Sequence, residues 1–325
     1  MKGFSTLILL LALIAFLSLL LGEVRLSLAD LWQGLTTGEG PGALTLRVLR
    51  GPRVATAMAA GAAFGLSGAV FQMLLRNPLA APDVMGFNAG AGLAVILALA
   101  FGLMLPMALI AALGGLLAAL LVGLISWQPG RSEPALVMIL VGLGIGFTAS
   151  GLATFFLLTL TDAEASEARR WIIGSLAARS WNHAAQITVI AGVLGLLLAV
   201  QLRALACLEL GPVLAQGLGL SVEAAKRKLL ATAVLLAAGA VAVAGPVPFV
   251  ALMAGPLGIG LTGARQPAAR LLAAAGAGAL ILTGADLLSR SLWQGVQLPV
   301  GVMTGLLGAP WLMWLLTRAF GKVES

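Results

Sequence analysis

The sequence has no tyrosine, one histidine and one cysteine in 325 residues. With Cys207 alone, no disulfide can close within the chain and no cysteine-based zinc or iron–sulfur site can be built. His183 has no second histidine with which to form a ligand pair, and neither an HExxH string nor a GxxxxGKS or GxxxxGKT phosphate loop occurs. Zinc-peptidase chemistry and nucleotide hydrolysis by this chain are therefore excluded. Charge is scarce as well: 10% of residues are charged against 60% apolar, and the mean hydropathy is +1.07. That apolar excess is more than a soluble core can absorb, so much of it faces lipid. The formal charge of +7 sets topology in such a chain rather than attracting nucleic acid.

What is present is a succession of apolar runs. At about 20 residues per crossing, the pattern predicts ten helices, near 5–22, 54–74, 84–104, 106–126, 134–160, 185–205, 229–246, 248–263, 268–290 and 299–318. The fold class is all-α, a polytopic membrane protein with residues 1–325 in a single domain. The first run follows a basic residue as a secretory signal would. It is longer than a signal core, and the nearest small-residue site, Ser27 to Ala29, lies beyond Glu23 and Arg25, so it reads as a retained helix.

An even number of crossings puts both termini on one side. Lys2, Arg76, Arg131, Arg203, Lys226, Arg227, Lys228, Arg265, Arg270, Arg318 and Lys322 share that side, eleven of the 19 basic residues, which marks it as cytoplasmic. The 42 glycines include the pairs Gly61/Gly65, Gly86/Gly90, Gly142/Gly146 and Gly301/Gly305, a spacing that lets helix backbones approach closely in lipid. The eighth helix lies between Gly245-Pro246 and Gly263 and contains Gly255-Pro256, which predicts a bent or broken segment, either beside a pathway or as a Pro-kinked packing helix.

Ionisable side chains are nearly absent from the predicted spans, which argues against a proton relay. Asp286 is the exception. It stands four residues before Arg290 on the same helix face, either as a local ion pair or leaving Arg290 available to an acidic partner. Arg47, Arg50 and Arg53 cluster on the outer side, where topology gives no reason to keep them. Trp171, Trp181 and His183 read as interfacial anchors. The longest cytoplasmic connection, Leu208 to Lys228, is too polar to span; it fits two short helices lying against the membrane or a soluble partner, or an amphipathic linker.

Five strings then bring a family into view: LRGPRVATAMAAGAAFGLSGAVFQMLLRNPLAAPDVMGFNAGAGLA from Leu49, GLGLSVEAAKR from Gly217, AVAGPVPFVALMAG from Ala242, ADLLSRSLW from Ala285 and LPVGVMTGLLGAPWLMWLL from Leu298. In this order and spacing the chain resembles the permease subunits of type II ATP-binding cassette importers for ferric siderophores, haem and cobalamin. The resemblance implies ten helices per subunit and a second permease subunit, of the same or a homologous chain. It also implies two ATPase subunits below and a periplasmic substrate-binding protein above. ATP and Mg would sit on the partner ATPase, with no cofactor or metal bound by this chain and no catalytic residue in it.

Residue by residue, Arg50 and Arg53 match the family's Arg-x-Pro-Arg motif and Arg290 the arginine after Ala-Asp; these are expected to dock the binding protein through its acidic groups. Gly217, Leu218, Gly219, Leu220, Ser221, Val222 and Glu223 match the region coupling the permease to the ATPase. One departure stands out: where relatives carry Pro-His or Pro-Gln and then Ile-Ala-Arg, this chain reads MAGPLGIGLTGAR, so no role is carried to Arg265. WIIGSLAARSWNH from Trp171 looks most like the ferric-siderophore branch, catecholate permeases in particular. A pathway without fixed charge suits a bulky organic chelate better than a bare cation. Haem or cobalamin as cargo, or an ion-gradient-driven carrier, are the alternatives.

Overall fold

A computed structural model of the chain describes residues 2–22, 26–126, 134–292 and 297–320. Arg131 and Lys322 of the expected cytoplasmic set, and Glu23 and Arg25 beside the first helix, lie outside the described residues. Helix α1 (Lys2–Leu20) is followed by the short α2 (Leu28–Thr36) and α3 (Gly40–Leu44), a π turn (Thr45–Leu49) and the long α4 (Gly51–Leu75). A 3-10 turn (Pro82–Met85) leads into α5 (Phe87–Ala100), α6 (Met107–Ser126), α7 (Pro134–Leu157) and a short polar helix, α8 (Asp162–Ile172). Then come α9 (Trp181–Glu209), the six-residue α10 (Pro212–Gly217), α11 (Val222–Ala244), α12 (Val250–Thr262), α13 (Pro267–Ser291) and α14 (Val300–Phe320).

Among the described residues, seven helical runs are long and apolar enough to cross a membrane, and three shorter apolar helices, α5, α12 and the Val300–Leu315 part of α14, complete the ten predicted. The amphipathic α2 and α8 were not among the predicted windows, because a search for apolar runs passes over short polar helices. Both carry a readable start. Ser27 and Asp30 form a capping box on α2, and Thr161 and Glu164 form one on α8.

Helix α4 is the hub, packed against α9, α11, α12 and α13. Its sequence is small on most sides, so neighbours come close: a Cβ on Gly61 would overlap the Gly278 carbonyl of α13, and one on Gly278 would overlap the Gly61 carbonyl. The predicted pairs do not all behave alike. Gly61 and Gly65 both touch α13 backbone, whereas Gly305 has open space around it. Polar links are few and buried, such as Ser67 Oγ donating to Ala233 O at 2.7 Å. On the outside, Leu9, Phe147 and Val200 are exposed, as lipid-facing apolar side chains are.

Two ends of the bundle follow from the contacts. On one, the α4 C-terminus meets the end of α9 through Arg76 Nη2 and Leu208 O at 3.0 Å, and Arg270 at the start of α13 pairs with Glu209 at 2.5 Å. This end also carries α10. The other end carries α2, α3, α8 and the C-termini of α1, α11 and α13.

The eighth span is sharply turned on entering, with Phe249 in the left-handed region at φ 68, but α12 itself runs unbroken through Pro256. Proline has no N–H for the carbonyl four residues back. Here Gln72 Nε2 of α4 donates to that carbonyl, Leu252 O, at 2.9 Å, which is how a proline inside a buried helix is accommodated. Gln72→Leu is expected to lower stability by about 1–3 kcal/mol, the cost of an unsatisfied buried carbonyl. Thermal unfolding in detergent measures it, and adding Pro256→Ala, which returns an N–H to Leu252 O, should recover most of the loss. A double variant no more stable than Gln72→Leu alone would refute this pairing.

The connection expected at Leu208–Lys228 is shorter than its sequence suggested. Leu208 and Glu209 finish α9, and α11 begins at Val222, so the basic run Lys226–Lys228 is helical and only one short helix, α10, forms between. The reason is burial: Leu208, Val222, Ala225 and Leu229 all pack inward and pull both ends of the loop into the bundle.

Candidate functional site

At the α8 end, the last carbonyls of α1 have no intrahelical partner. They are met by one arginine that follows the π turn and one from α13. The π turn delivers Arg50, which caps it with N–H to Thr45 O at 2.7 Å, and Pro52 then starts α4 without needing a donor. Arg50 Nη1 donates to Leu19 O and Leu20 O, both at 2.9 Å. From α13, Arg290 Nη1 donates to Leu21 O at 2.9 Å and its Nη2 to Ser18 O and Ser18 Oγ. Guanidinium groups suit this position because the C-terminal end of a helix carries partial negative charge.

Asp286 sits between the arginines. Its Oδ1 accepts from Arg53 Nε at 2.7 Å and its Oδ2 from Arg290 Nε at 3.2 Å, and its side chain is fully buried. The i to i+4 pair with Arg290 therefore exists, joined by Arg53 from α4. Arg290 itself is only 6% exposed. The three arginines expected to face an acidic partner thus hold α1, α4 and α13 together, around Asp286 as the carboxylate they share among the described residues. Ser18, which completes the Arg290 contacts, carries no sequence signal that a hydropathy reading could use.

Beside this junction lies Arg179, in the turn between α8 and α9. The turn is pinned by Ser175 N–H to Ala244 O at 2.9 Å and by the buried Leu176, and Ala178 occupies the left-handed region at φ 54, a conformation costing an L-residue about 1–2 kcal/mol. Arg179 Nη2 donates to Ser175 O at 3.0 Å, while its Nε is buried without an acceptor among the described residues. Burial, with the charge of Arg53 behind it, pushes this guanidinium below its ordinary pKa. Trp181 donates Nε1 to Arg47 O at 2.8 Å, so this expected anchor also ties α9 to the π turn. His183 serves the start of α9 through Ser180 N–H to its Nδ1 at 3.2 Å.

At the opposite end, α10 closes with a Schellman motif. Leu220 N–H bonds Ala215 O at 3.0 Å and Gly219 N–H bonds Gln216 O at 2.9 Å, with Gly219 at φ 80. The seven residues singled out here fall on this turn and the start of the next helix. Gly217 ends α10, Leu218 is exposed, Ser221 precedes α11, Val222 is buried beneath, and Glu223 pairs with Lys226 at 3.5 Å. Leu210, Val213, Leu214 and Leu218 form an exposed apolar group around it, Val213 at 80%. Arg265 is exposed in the turn between α12 and α13.

The two ends therefore differ in kind, one cationic and rigid, the other a short apolar projection. Comparison with known proteins gives the setting. The profile of the FecCD transport family matches residues 9–318. The chain belongs to the FecCD transport family.

Among its relatives, the ferric enterobactin transport system permease protein of Escherichia coli K12 is 38% identical over 93% of this chain and 91% of the relative. The iron(3+)-hydroxamate import system permease protein of Bacillus subtilis 168 is 33% identical over 96% and 95%. The vitamin B12 import system permease protein of Vibrio vulnificus CMCP6 is 33% identical over 97% and 94%. Among solved structures, an inward-facing conformation of a metal-chelate type ABC transporter superposes with a TM-score of 0.82 at 28% identity, covering 98% of this chain and 99% of that one. This FecCD protein is thus a multi-span permease subunit of an ATP-binding cassette importer and not itself an enzyme. The ion-gradient alternative is set aside.

Proposed function

We propose that this permease carries a ferric siderophore from periplasm to cytoplasm across the bacterial inner membrane. The observation that carries the reading is the 38% identity to a ferric enterobactin permease over nearly the whole chain, above the 33% of the vitamin B12 relative. Cobalamin is the second reading, favoured by that same relative. Haem is retained as a third cargo for the same machine.

In this reading two permease subunits, alike or homologous, stand side by side in the lipid on two ATPase subunits, which bind ATP and Mg and do the hydrolysis. The α10 end and both termini face the cytoplasm, in keeping with the basic residues Arg76, Lys226, Arg227, Lys228 and Arg270 at that end. The apolar projection Val213, Leu214 and Leu218, with Gly217, Gly219, Leu220, Ser221, Val222 and Glu223 behind it, docks on the ATPase. The Schellman turn makes that projection stiff, so movement of the ATPase reaches α9 and α11 rather than being lost in the loop. Ligand follows because nucleotide-driven movement changes which side of the pathway is open. The α8 end faces the periplasm, where the arginines Arg50, Arg53 and Arg290 steer an acidic binding protein to it.

The test is reconstitution into liposomes with the ATPase and binding protein, following ATP hydrolysis and uptake of ferric siderophores, haem and cobalamin in parallel. ATP-dependent uptake of one ferric siderophore is expected. Uptake of cobalamin or haem alone would replace the cargo, and uptake that persists without ATP would overturn the reading.

A further inference from the structure

At the α10 end, between the last turns of α4 and α9, α12 and the start of α13, lies a cavity of about 580 Å³. That falls within the range of small-molecule sites, roughly 300–1,000 Å³. Its walls are of two kinds. Met73, Pro256 and Ile259 line it with apolar surface, and Arg76, Glu209 and Arg270 line it with charge. Two guanidiniums thus stand against one carboxylate, and that carboxylate is already paired with Arg270.

Arg76 is the cation left over. Its Nη2 donates to Leu208 O at 3.0 Å and to Glu209 O at 3.1 Å, and it forms no ion pair among the described residues. Its Nε and Nη1 have no acceptor among them either. The residue follows α4 in the left-handed region, at φ 51, where a helix end favours glycine. Glycine would serve the turn, but it would bring no guanidinium to the exposed rim of the cavity. The free N–H groups of a guanidinium suit the oxygens of a phosphate. The two walls then separate the candidate ligands. A free anion would gain nothing from Met73, Pro256 and Ile259 and would meet the charge of Glu209 as well. An uncharged lipid would leave Arg76 unmatched. A phospholipid with an anionic headgroup uses both walls, and basic pockets between helices at the cytoplasmic side take such headgroups.

We propose that this cavity binds an anionic phospholipid, with the phosphate received by Arg76 and Arg270 and the apolar part lying on Met73, Pro256 and Ile259. Bound there, the lipid ties the ends of α4, α9, α12 and α13 together next to α10. That the cytoplasmic leaflet supplies it rests on the orientation proposed above; the chemistry of the site does not.

The test uses the full-length chain in nanodiscs of phosphatidylcholine with a minor fraction of phosphatidylglycerol, in phosphate-free buffer. Native mass spectrometry reads the phosphatidylglycerol retained, and thermal unfolding in phosphatidylcholine alone is the control for fold. Wild type should retain phosphatidylglycerol in preference to phosphatidylcholine. Arg76→Gln should lower that retention roughly fivefold, the scale for one cationic side chain at an anionic lipid surface. Glu209→Gln should raise it, because the repelling charge is gone and Arg270 is released, whereas a purely structural Arg270–Glu209 pair predicts no gain. Unchanged retention in a folded Arg76→Gln chain would overturn the proposal; should that variant unfold, the absence of a gain in Glu209→Gln would do the same. Inorganic phosphate, added to the chain in phosphatidylcholine, should protect against unfolding less than phosphatidylglycerol does. Equal protection would make this a free-phosphate site. Loss of ATPase assembly in Arg76→Gln, without any preference of the wild type for phosphatidylglycerol, would give the surface to the ATPase, and either result displaces the lipid. The lipid measurements use neither ATPase nor binding protein, so their failure leaves the importer reading standing.

Discussion

Asp286→Ala is expected to be among the most damaging single substitutions at the α8 end, lowering stability by about 3–5 kcal/mol. That is the scale for removing one partner of a buried ion pair and leaving the other charged and dry. Two guanidiniums lose their anion at once, because Asp286 accepts from Arg53 and from Arg290. Their mutual repulsion then strains the hold of Arg290 on the α1 carbonyls. Thermal unfolding of the purified protein in detergent, with limited proteolysis near residue 22, reads the loss. The triple change Arg53→Met, Asp286→Leu, Arg290→Met should be milder than Asp286→Ala, since matched apolar replacement of a buried ionic cluster is often close to neutral. Asp286→Ala melting with the wild type would show that the cluster does not hold the junction. The same geometry bears on a simpler experiment, reversing Arg50, Arg53 and Arg290 together to Glu. Carboxylates set against α1 carbonyls and Asp286 should cost the fold before docking can be read.

The ten spans were legible because lipid demands long apolar runs whose backbone is satisfied within each helix, and hydropathy reads that demand directly. The same rule misses α2 and α8, whose cues lie in the capping boxes Ser27-x-x-Asp30 and Thr161-x-x-Glu164. It also overextended the loop after Glu209, since Lys226–Lys228 looks like a polar linker until Val222, Ala225 and Leu229 are seen to be buried on successive turns of one face. For the site, the i to i+4 spacing gave Asp286 and Arg290, but Arg53 lies 233 residues from Asp286 and Ser18 lies 272 from Arg290, separations that no local pattern reveals. Gln72 was hidden likewise: its reason is a proline on another helix, 184 positions away by residue number. Arg179 was visible within WIIGSLAARSWNH, yet nothing local marks its Nε as buried without an acceptor among the described residues.

Gly278→Leu is expected to have the second large effect, about 3 kcal/mol or more, at the upper end for overpacking, because the clash is with backbone rather than with a side chain that can turn aside. Gly61 and Gly278 face one another reciprocally, each Cβ position falling on the other's carbonyl, so α4 and α13 cannot separate locally without breaking contact along both helices. Between helices in lipid there is little hydrophobic drive to compensate, and close packing is most of what holds the pair. Separation here would also pull Arg53 on α4 away from Asp286 on α13, coupling the glycine contact to the arginine junction at the end of the same two helices. The measurement is the unfolding midpoint of the isolated chain, with Gly305→Leu as the contrast, because Gly305 has open space where a side chain would go. A loss at Gly278 with little change at Gly305 distinguishes a backbone contact from a general intolerance of larger residues at glycine positions. Equal losses at both would mean that spacing alone, and not the α4–α13 approach, sets the cost.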